Sequence, residues 1–223
     1  MKLKYSNDIC VIGTGRFGSA VIEQLLRMNK NILLIDREEE NVKTYNSEVD
    51  HIIIADATDT RALKGAGVDQ VETVVVAVSD NIEIIAALKE LRVKNIIARS
   101  KSRNHARVLK QIGVNIIVSP EHEAGVRTAL IAANTNFIKY SKNLQEIGNN
   151  FVFGTTSLHN PDLFNKKLSQ LNFNEREITA VLVKRNSTPM RPTGDLELFE
   201  NDQITIVGQV DNVTEAFEWF NEK

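Results

Sequence analysis

Three glycines and an acid define the chemistry this chain can do. Gly13, Gly15 and Gly18 stand in Gly-Thr-Gly-Arg-Phe-Gly, residues 13–18, and Asp36 follows about twenty residues on. In that spacing the first glycine lets the chain turn sharply out of a strand. The second lets a phosphate approach the backbone, and the third lets a helix pack closely on a sheet. Unpaired N–H groups at the helix start point at the anion, and the helix dipole favours it. A carboxylate at Asp36 accepts hydrogen bonds from both ribose hydroxyls. It also repels a 2′-phosphate, so NAD or an adenosine nucleotide fits better than NADP. The alternative is a degenerate mononucleotide fold that keeps its glycines only for packing. Asp56 and Thr58, in Asp-Ala-Thr-Asp (56–59), stand at another strand end. They either touch base or ribose or cap the next helix.

The elements that must position these residues follow from the apolar pattern. Ile9 to Ile12 reads as a strand and runs into the glycines. A helix follows with Phe17, Val21, Leu25 and Met28 on one face, then a strand from Ile32 to Ile35 that ends at Asp36. Further strands are expected at His51 to Ala55, Val71 to Val78, Asn95 to Ala98 and Val114 to Val118. Helices separate them, one from Asn81 to Leu91 capped by Ser79-Asp80 and one from Asn104 to Ile112 with Val108, Leu109 and Ile112 on a face. Alternating strands and helices of this kind make an α/β doubly wound, Rossmann-like parallel sheet.

Ser119-Pro120-Glu121 then caps a helix to about Asn134 with a stripe of Val126, Ala129, Leu130, Ala133 and Phe137. It reads as a connector that packs on another subunit or, more plainly, on its own sheet. After Phe137 the glycine-turn repeats stop, so residues 1–136 form the first domain and 137–223 a smaller α+β one. Within it, strands are expected at 151–158, Ile178 to Lys184, Asp195 to Phe199 and Gln203 to Gly208. A helix is expected from Asn160-Pro161-Asp162 through Leu171, a loop from Ser187 to Gly194 and a last helix from Val210 to Phe220.

The bulk numbers close off other classes. The 223 residues are 42% apolar and 25% charged with a net charge of −2, so charge gives no reason to expect nucleic acid or an anionic membrane. No apolar run approaches the ~20 residues of a membrane helix. The N-terminal residues lack the apolar stretch of a signal peptide. The one cysteine, Cys10, reads as a core thiol and cannot form an internal disulfide, which suits a cytoplasmic protein. The four histidines are dispersed, so no metal cluster is visible. An NAD-dependent oxidoreductase needs an acid–base group in its second domain, and only His159, in a turn-like His-Asn-Pro, offers one. A transcription regulator needs a basic recognition helix, and none is visible.

Seven segments together resemble a known family. They are residues 13–18, 33–36, 52–58 (Ile-Ile-Ile-Ala-Asp-Ala-Thr), 74–81 (Val-Val-Val-Ala-Val-Ser-Asp-Asn), 108–121, 178–186 and 196–208. The chain resembles the RCK (KTN) regulatory subunits of bacterial Ktr/Trk potassium uptake systems, with an N-terminal nucleotide-binding domain and a C-terminal TrkA_C domain. The resemblance implies a non-enzymatic subunit that binds ATP/ADP, or NAD/NADH in the Trk-type branch, above the glycine turn. It assigns Gly13, Gly15 and Gly18 to the phosphate site and Asp36 to the ribose, with Thr14, Phe17 and Arg37 among the nucleotide-binding residues. It also implies that Asp56, Ala57, Thr58, Ala77 and Arg99 lie on loops lining the nucleotide.

Arg16 matches an arginine that contacts the terminal phosphate of ATP. A cation in the first helical turn opposes the helix dipole, which favours that phosphate-directed role over a solvated one. Glu121 matches an acid associated with a divalent cation such as Mg²⁺. The resemblance further implies a homodimer assembling into a ring, typically an octamer. That ring docks on a membrane-embedded potassium-translocating subunit, KtrB/TrkH-like, at the inner face of the membrane. Cyclic di-AMP is implied for the second domain, near Lys184, Arg185, Asn186 and Pro192, where a strand end and a turn are the plain reading.

Overall fold

A computed structural model of the chain describes residues 9–49, 51–133, 135–140 and 142–222. By internal packing it divides into two compact units, up to Glu123 and from Ala124. The first holds β1 (Ile9–Ile12), α1 (Arg16–Arg27), β2 (Ile32–Asp36), α2 (Glu39–Val42), β3 (His51–Ile54), α3 (Thr60–Gly65), β4 (Thr73–Val76), α4 (Ile82–Glu90), β5 (Asn95–Arg99), α5 (Arg103–Gln111) and β6 (Ile116–Val118). The strands pair in parallel in the order β3-β2-β1-β4-β5-β6. The order reverses between β1 and β4, so a crevice opens there at the carboxyl ends of the strands.

Every residue of β2 is buried, as a strand covered on both faces requires. Cys10, Ile12, Leu33, Ile35, Val74 and Val76 face one layer with Leu63, Ile85, Leu88 and Leu109 of α3 to α5. Val11, Ile32, Leu34 and Val75 face the other with Ile22 of α1 and Val42 of α2.

Several faces differ from the sequence expectation. In α1 the buried line is Gly18 and Ile22, while Met28 is 53% exposed at the C-cap. The close approach at Gly18 brings that line nearest the sheet, and Val21 and Leu25 of the expected stripe pack half-buried against the same core beside it. In α5 the core side is His105 and Leu109, with Val108 and Ile112 partly exposed. The cap of α4 is Asn81, not Ser79-Asp80. Its buried amide donates to the carbonyls of Val78 (2.9 Å) and Arg99 (2.8 Å), tying the ends of β4 and β5 together instead of capping the helix.

The helix α6 (Pro120–Ala133) starts as expected: Glu123 reaches back to the Ser119 N–H at 3.2 Å. Residues 121–129 are exposed, Val126 and Ala129 of the expected stripe among them. Asn134 and the side chains of Leu130 and Phe137 lie outside the described residues.

The second unit continues with α7 (Thr135–Tyr140), β7 (Leu144–Gly148), β8 (Phe151–Ser157), β9 (Ile178–Arg185), β10 (Thr188–Met190), β11 (Gln203–Gln209) and α8 (Val210–Asn221). Its sheet is antiparallel in the order β10-β9-β11-β8-β7. Val210, Val213, Ala216, Phe217 and Phe220 of α8 share one core with Val152, Ile204 and Ile206.

The helix expected from Asn160 to Leu171 does not form. Single 3₁₀ turns stand at Pro161–Leu163 and Leu168–Gln170, with Asn165 between them at φ 58°. The Asn165 N–H bonds the Leu198 carbonyl at 2.8 Å and the Leu168 N–H bonds that of Leu196 at 3.0 Å, so this backbone pairs across the unit. That pairing takes the donors a helix would have used. The same pairing leaves Asp195 to Phe199 as an irregular segment, not a strand. The loop expected at Ser187 contains β10, reached by a tight turn in which Asn186 and Ser187 both adopt positive φ.

Candidate functional site

The crevice at the β1/β4 switch is a cleft of about 780 Å³. Gly13, Thr14 and Gly15 form its floor, Asp36, Arg37, Glu38 and Asn41 its β2 side, and Asp56, Ala57 and Thr58 its β3 side. Val78, Asp80, Ile82 and Glu83 close the β4 side.

Each glycine has a separate reason. Gly13 sits at φ +95°, and a Cβ there would meet Val78 Cγ1 at 2.5 Å. At Gly18 a Cβ would stand 2.0 Å from the Gly13 carbonyl oxygen. Gly15 is different: nothing lies within 4 Å of the position its Cβ would take. That open volume lies at the N-cap of α1, where no side chain caps the helix and no acid stands in the first turn. Backbone N–H groups and the helix dipole there favour an anion.

Asp36 is 9% exposed. Its Oδ2 accepts from the Thr14 N–H (2.8 Å) and hydroxyl (2.6 Å), and its Oδ1 from the Glu38 N–H (3.0 Å) and the Asn41 amide (3.3 Å). Burial works to raise its pKa, but these four hydrogen bonds outweigh burial and hold it below the ordinary carboxyl value. Its contribution to stability is therefore complete above about pH 4–5 and is lost as pH falls through its lowered value. Acid unfolding of Asp36→Asn is expected to be flatter than wild type in that window, read by circular dichroism.

Asp56 accepts from the Thr58 N–H (2.9 Å) and hydroxyl (2.8 Å), bonds that lower its pKa, with Arg37 adding to the effect. The cap of α3 is Asp59, which accepts from the Arg61 N–H at 2.8 Å. That removes the capping alternative for Asp56 and Thr58 and leaves both on the cleft wall.

The remaining expected residues stand apart from the cleft lining. Phe17 is half-buried at the start of α1, and Gly18 is buried. Ala77 is buried behind the glycine turn, with its N–H on the Ile12 carbonyl at 2.8 Å. Arg99 pairs with Glu121. The Glu121 pKa is lowered by its own backbone N–H, then by Arg99, and by the charge of Arg16. Arg16 is exposed and makes no ion pair among the described residues. Among those residues no group of three or more His, Cys, Asp or Glu could hold a metal. Glu121 is thus a single carboxylate engaged by an arginine, and a divalent cation there would need ligands from elsewhere. Sequence reasoning missed Glu38, Asn41, Asp80 and Glu83. The first two follow Asp36 at two and five residues, which was the available signal.

The TrkA-N domain model matches residues 9–120, and the TrkA-C domain model matches 158–221. The chain belongs to the TrkA-N/TrkA-C family. It is 31% identical over 222 residues to the uncharacterized protein MG323 of Mycoplasma genitalium, covering 97% of this chain and 96% of that protein. It is 27% identical to Ktr system potassium uptake protein C of Bacillus subtilis, covering 93% and 94%. In fold it is similar to the GsuK channel bound to NAD (TM-score 0.56, 17% identity), covering 99% of this chain but 40% of that one. Among the described residues of this TrkA-family chain, no helix is long and apolar enough to cross a membrane.

The cleft fits a nucleotide: an open seat over Gly15, an uncapped helix start and a fixed carboxylate beside them. In the TrkA-family chain Gly15→Ala is expected to change stability by less than about 1 kcal/mol, since its methyl meets nothing. The same methyl would fill the open position where a phosphate is expected, so nucleotide affinity should fall by at least about tenfold. Calorimetric titration beside urea denaturation checks both halves.

Proposed function

We propose that this chain is the adenine-nucleotide-binding regulatory subunit of a potassium uptake system, acting on a separate membrane-embedded potassium-translocating subunit. The observation that carries the reading is the Asp36 carboxylate, fixed by Thr14 at the carboxyl end of β2, beside the open backbone at Gly15. Family membership supports it, as does the likeness over nearly the full length to a Ktr system potassium uptake protein.

Bound nucleotide supplies a charged, removable group whose contacts differ between its forms. The backbone of Gly13 to Gly15 would hold the phosphates, Asp36 the ribose, and Asp56 with Thr58 the base side. Arg16, exposed and without an ion-pair partner among the described residues, is the cation that would read a terminal phosphate, which favours ATP/ADP. NAD(H) is the second reading. Asp80 and Glu83 on the β4 side oppose a γ-phosphate's charge unless a divalent cation screens it, whereas a nicotinamide riboside carries no such charge. In either case the ligand is sensed without turnover. The subunit assembles as a homodimer within a ring, sits at the cytoplasmic face of the membrane through its partner, and transmits ligand contacts as a change in ring shape.

The test is potassium uptake by cells that lack their own uptake systems and express a Ktr-type membrane subunit. Uptake should rise when this chain is co-expressed and fall back with Asp36→Ala. Uptake indifferent to the chain, or to Asp36, would contradict the proposal.

A further inference from the structure

We propose that the Asn41 amide holds the position on Asp36 that a ribose hydroxyl would take, so that a nucleotide's ribose binds by displacing it. This rests on the nucleotide reading above and adds how the ribose end is controlled. A carboxylate offers about four lone-pair positions. In Asp36 all four are in use: Thr14 fills both on Oδ2, and the Glu38 N–H and the Asn41 amide fill those on Oδ1. A ribose hydroxyl can therefore donate to Asp36 only where a present donor leaves.

The four donors are not equally held. The Thr14 and Glu38 N–H groups belong to the backbone, one of them in the glycine turn. The Thr14 hydroxyl makes the shortest bond, at 2.6 Å. The Asn41 bond is the longest, at 3.3 Å, beyond the usual N–H···O range. Asn41 is also exposed, on the four-residue helix α2, and lines the cleft. Its amide can turn into water at little cost, so Oδ1 is where a ribose hydroxyl enters and Asn41 is what it competes with. The seat is thereby selective: a ligand lacking ribose hydroxyls gains nothing from displacing Asn41. Arg37, next to Asp36 in sequence, is directed to Glu38 at 3.4 Å and does not compete for the carboxylate.

The experiment is calorimetric titration of the full chain and its Asn41→Ala and Asp36→Ala variants with ADP and with 2′,3′-dideoxy-ADP. Asn41→Ala should bind ADP about two- to tenfold tighter than wild type, the range expected for removing one weak, exposed competitor of a charged acceptor. The dideoxy ligand should bind wild type and Asn41→Ala alike. Equal ADP affinity in the two proteins, a loss in Asn41→Ala, or an equal gain for both ligands would overturn the proposal. If ADP binds wild type, Asp36→Ala abolishes it and Asn41→Ala is neutral, this inference alone falls. If wild type binds neither ADP nor NADH, the nucleotide reading falls with it.

Discussion

Gly18→Ala is expected to destabilise the first unit by about 4 kcal/mol or more, at the severe end for a single methyl. The added Cβ would stand 2.0 Å from the Gly13 carbonyl oxygen, 2.9 Å from its carbon and 3.2 Å from the Ala77 Cβ. The nearest obstacle is backbone, not the end of a flexible side chain. That backbone is itself fixed, because the Gly13 N–H bonds the Ile35 carbonyl at 2.8 Å and Gly13 lies at φ +95°. Relief requires α1 to lift off the sheet, which opens the contact of Ile22 with the core. Urea unfolding followed by circular dichroism should show an early transition in Gly18→Ala and none in Gly15→Ala. Equal midpoints for Gly18→Ala and wild type would contradict the account of the glycine turn.

Arg185→Ala is expected to cost the second unit about 3 kcal/mol. Asp202 is 1% exposed and accepts from Arg185 Nε and Nη2, each at 2.8 Å. Among the described residues, removing the guanidinium leaves that carboxylate with the Phe199 N–H at 2.9 Å. The arginine also donates to the Glu197 carbonyl and lies 4.3 Å from the Phe199 ring centroid, so packing is lost as well. Arg185 is partly exposed and water can reach the gap, which keeps the loss short of the largest values for buried pairs. The double change Arg185→Met with Asp202→Leu should recover most of the stability, because it removes both charges and refills the volume. Fluorescence of Trp219, the single tryptophan and a residue of this unit's aromatic cluster, reports the transition. A double variant as unstable as the single one would contradict the argument. The same bonds bear on the second-domain ligand implied by resemblance: Arg185 is committed to Asp202 and the Glu197 carbonyl, so an anion there would have to compete with a buried carboxylate.

The first unit was legible because its signals are strong and local. Apolar runs too rich for one-sided strands required a sheet covered on both faces. The glycine spacing fixed the turn, and Asp36 fell where the second strand ends. What escaped was set by contacts the sequence does not display. Beyond its closeness to Asp36, nothing in the sequence around Asn41 marks it, and its bond to Asp36 depends on how the short helix α2 folds back. Asn81 carries a cap residue's chemistry but spends its amide on two strand ends. In the second unit Leu163, Leu168 and Leu171 have a spacing that suits a helix, yet they are buried from two separate turns whose backbone pairs with Leu196 and Leu198. The strand β7 hid because Leu144 is its only buried residue. Arg185 read as a strand-end charge, since nothing local marks Asp202 as its partner.

Binding of an adenine nucleotide through Asp36, in the cleft beside the glycine turn, is the step on which the proposed regulation depends. The most direct test is a thermal-shift titration of the full chain and of Asp36→Ala with ATP, ADP and NADH, each with and without Mg²⁺. A ligand that binds only the folded state raises the melting temperature with the logarithm of its concentration over its Kd. At least one of the three should do so in wild type, and Asp36→Ala should weaken it by at least about tenfold. No shift with any of them, or a shift undiminished in Asp36→Ala, would contradict it.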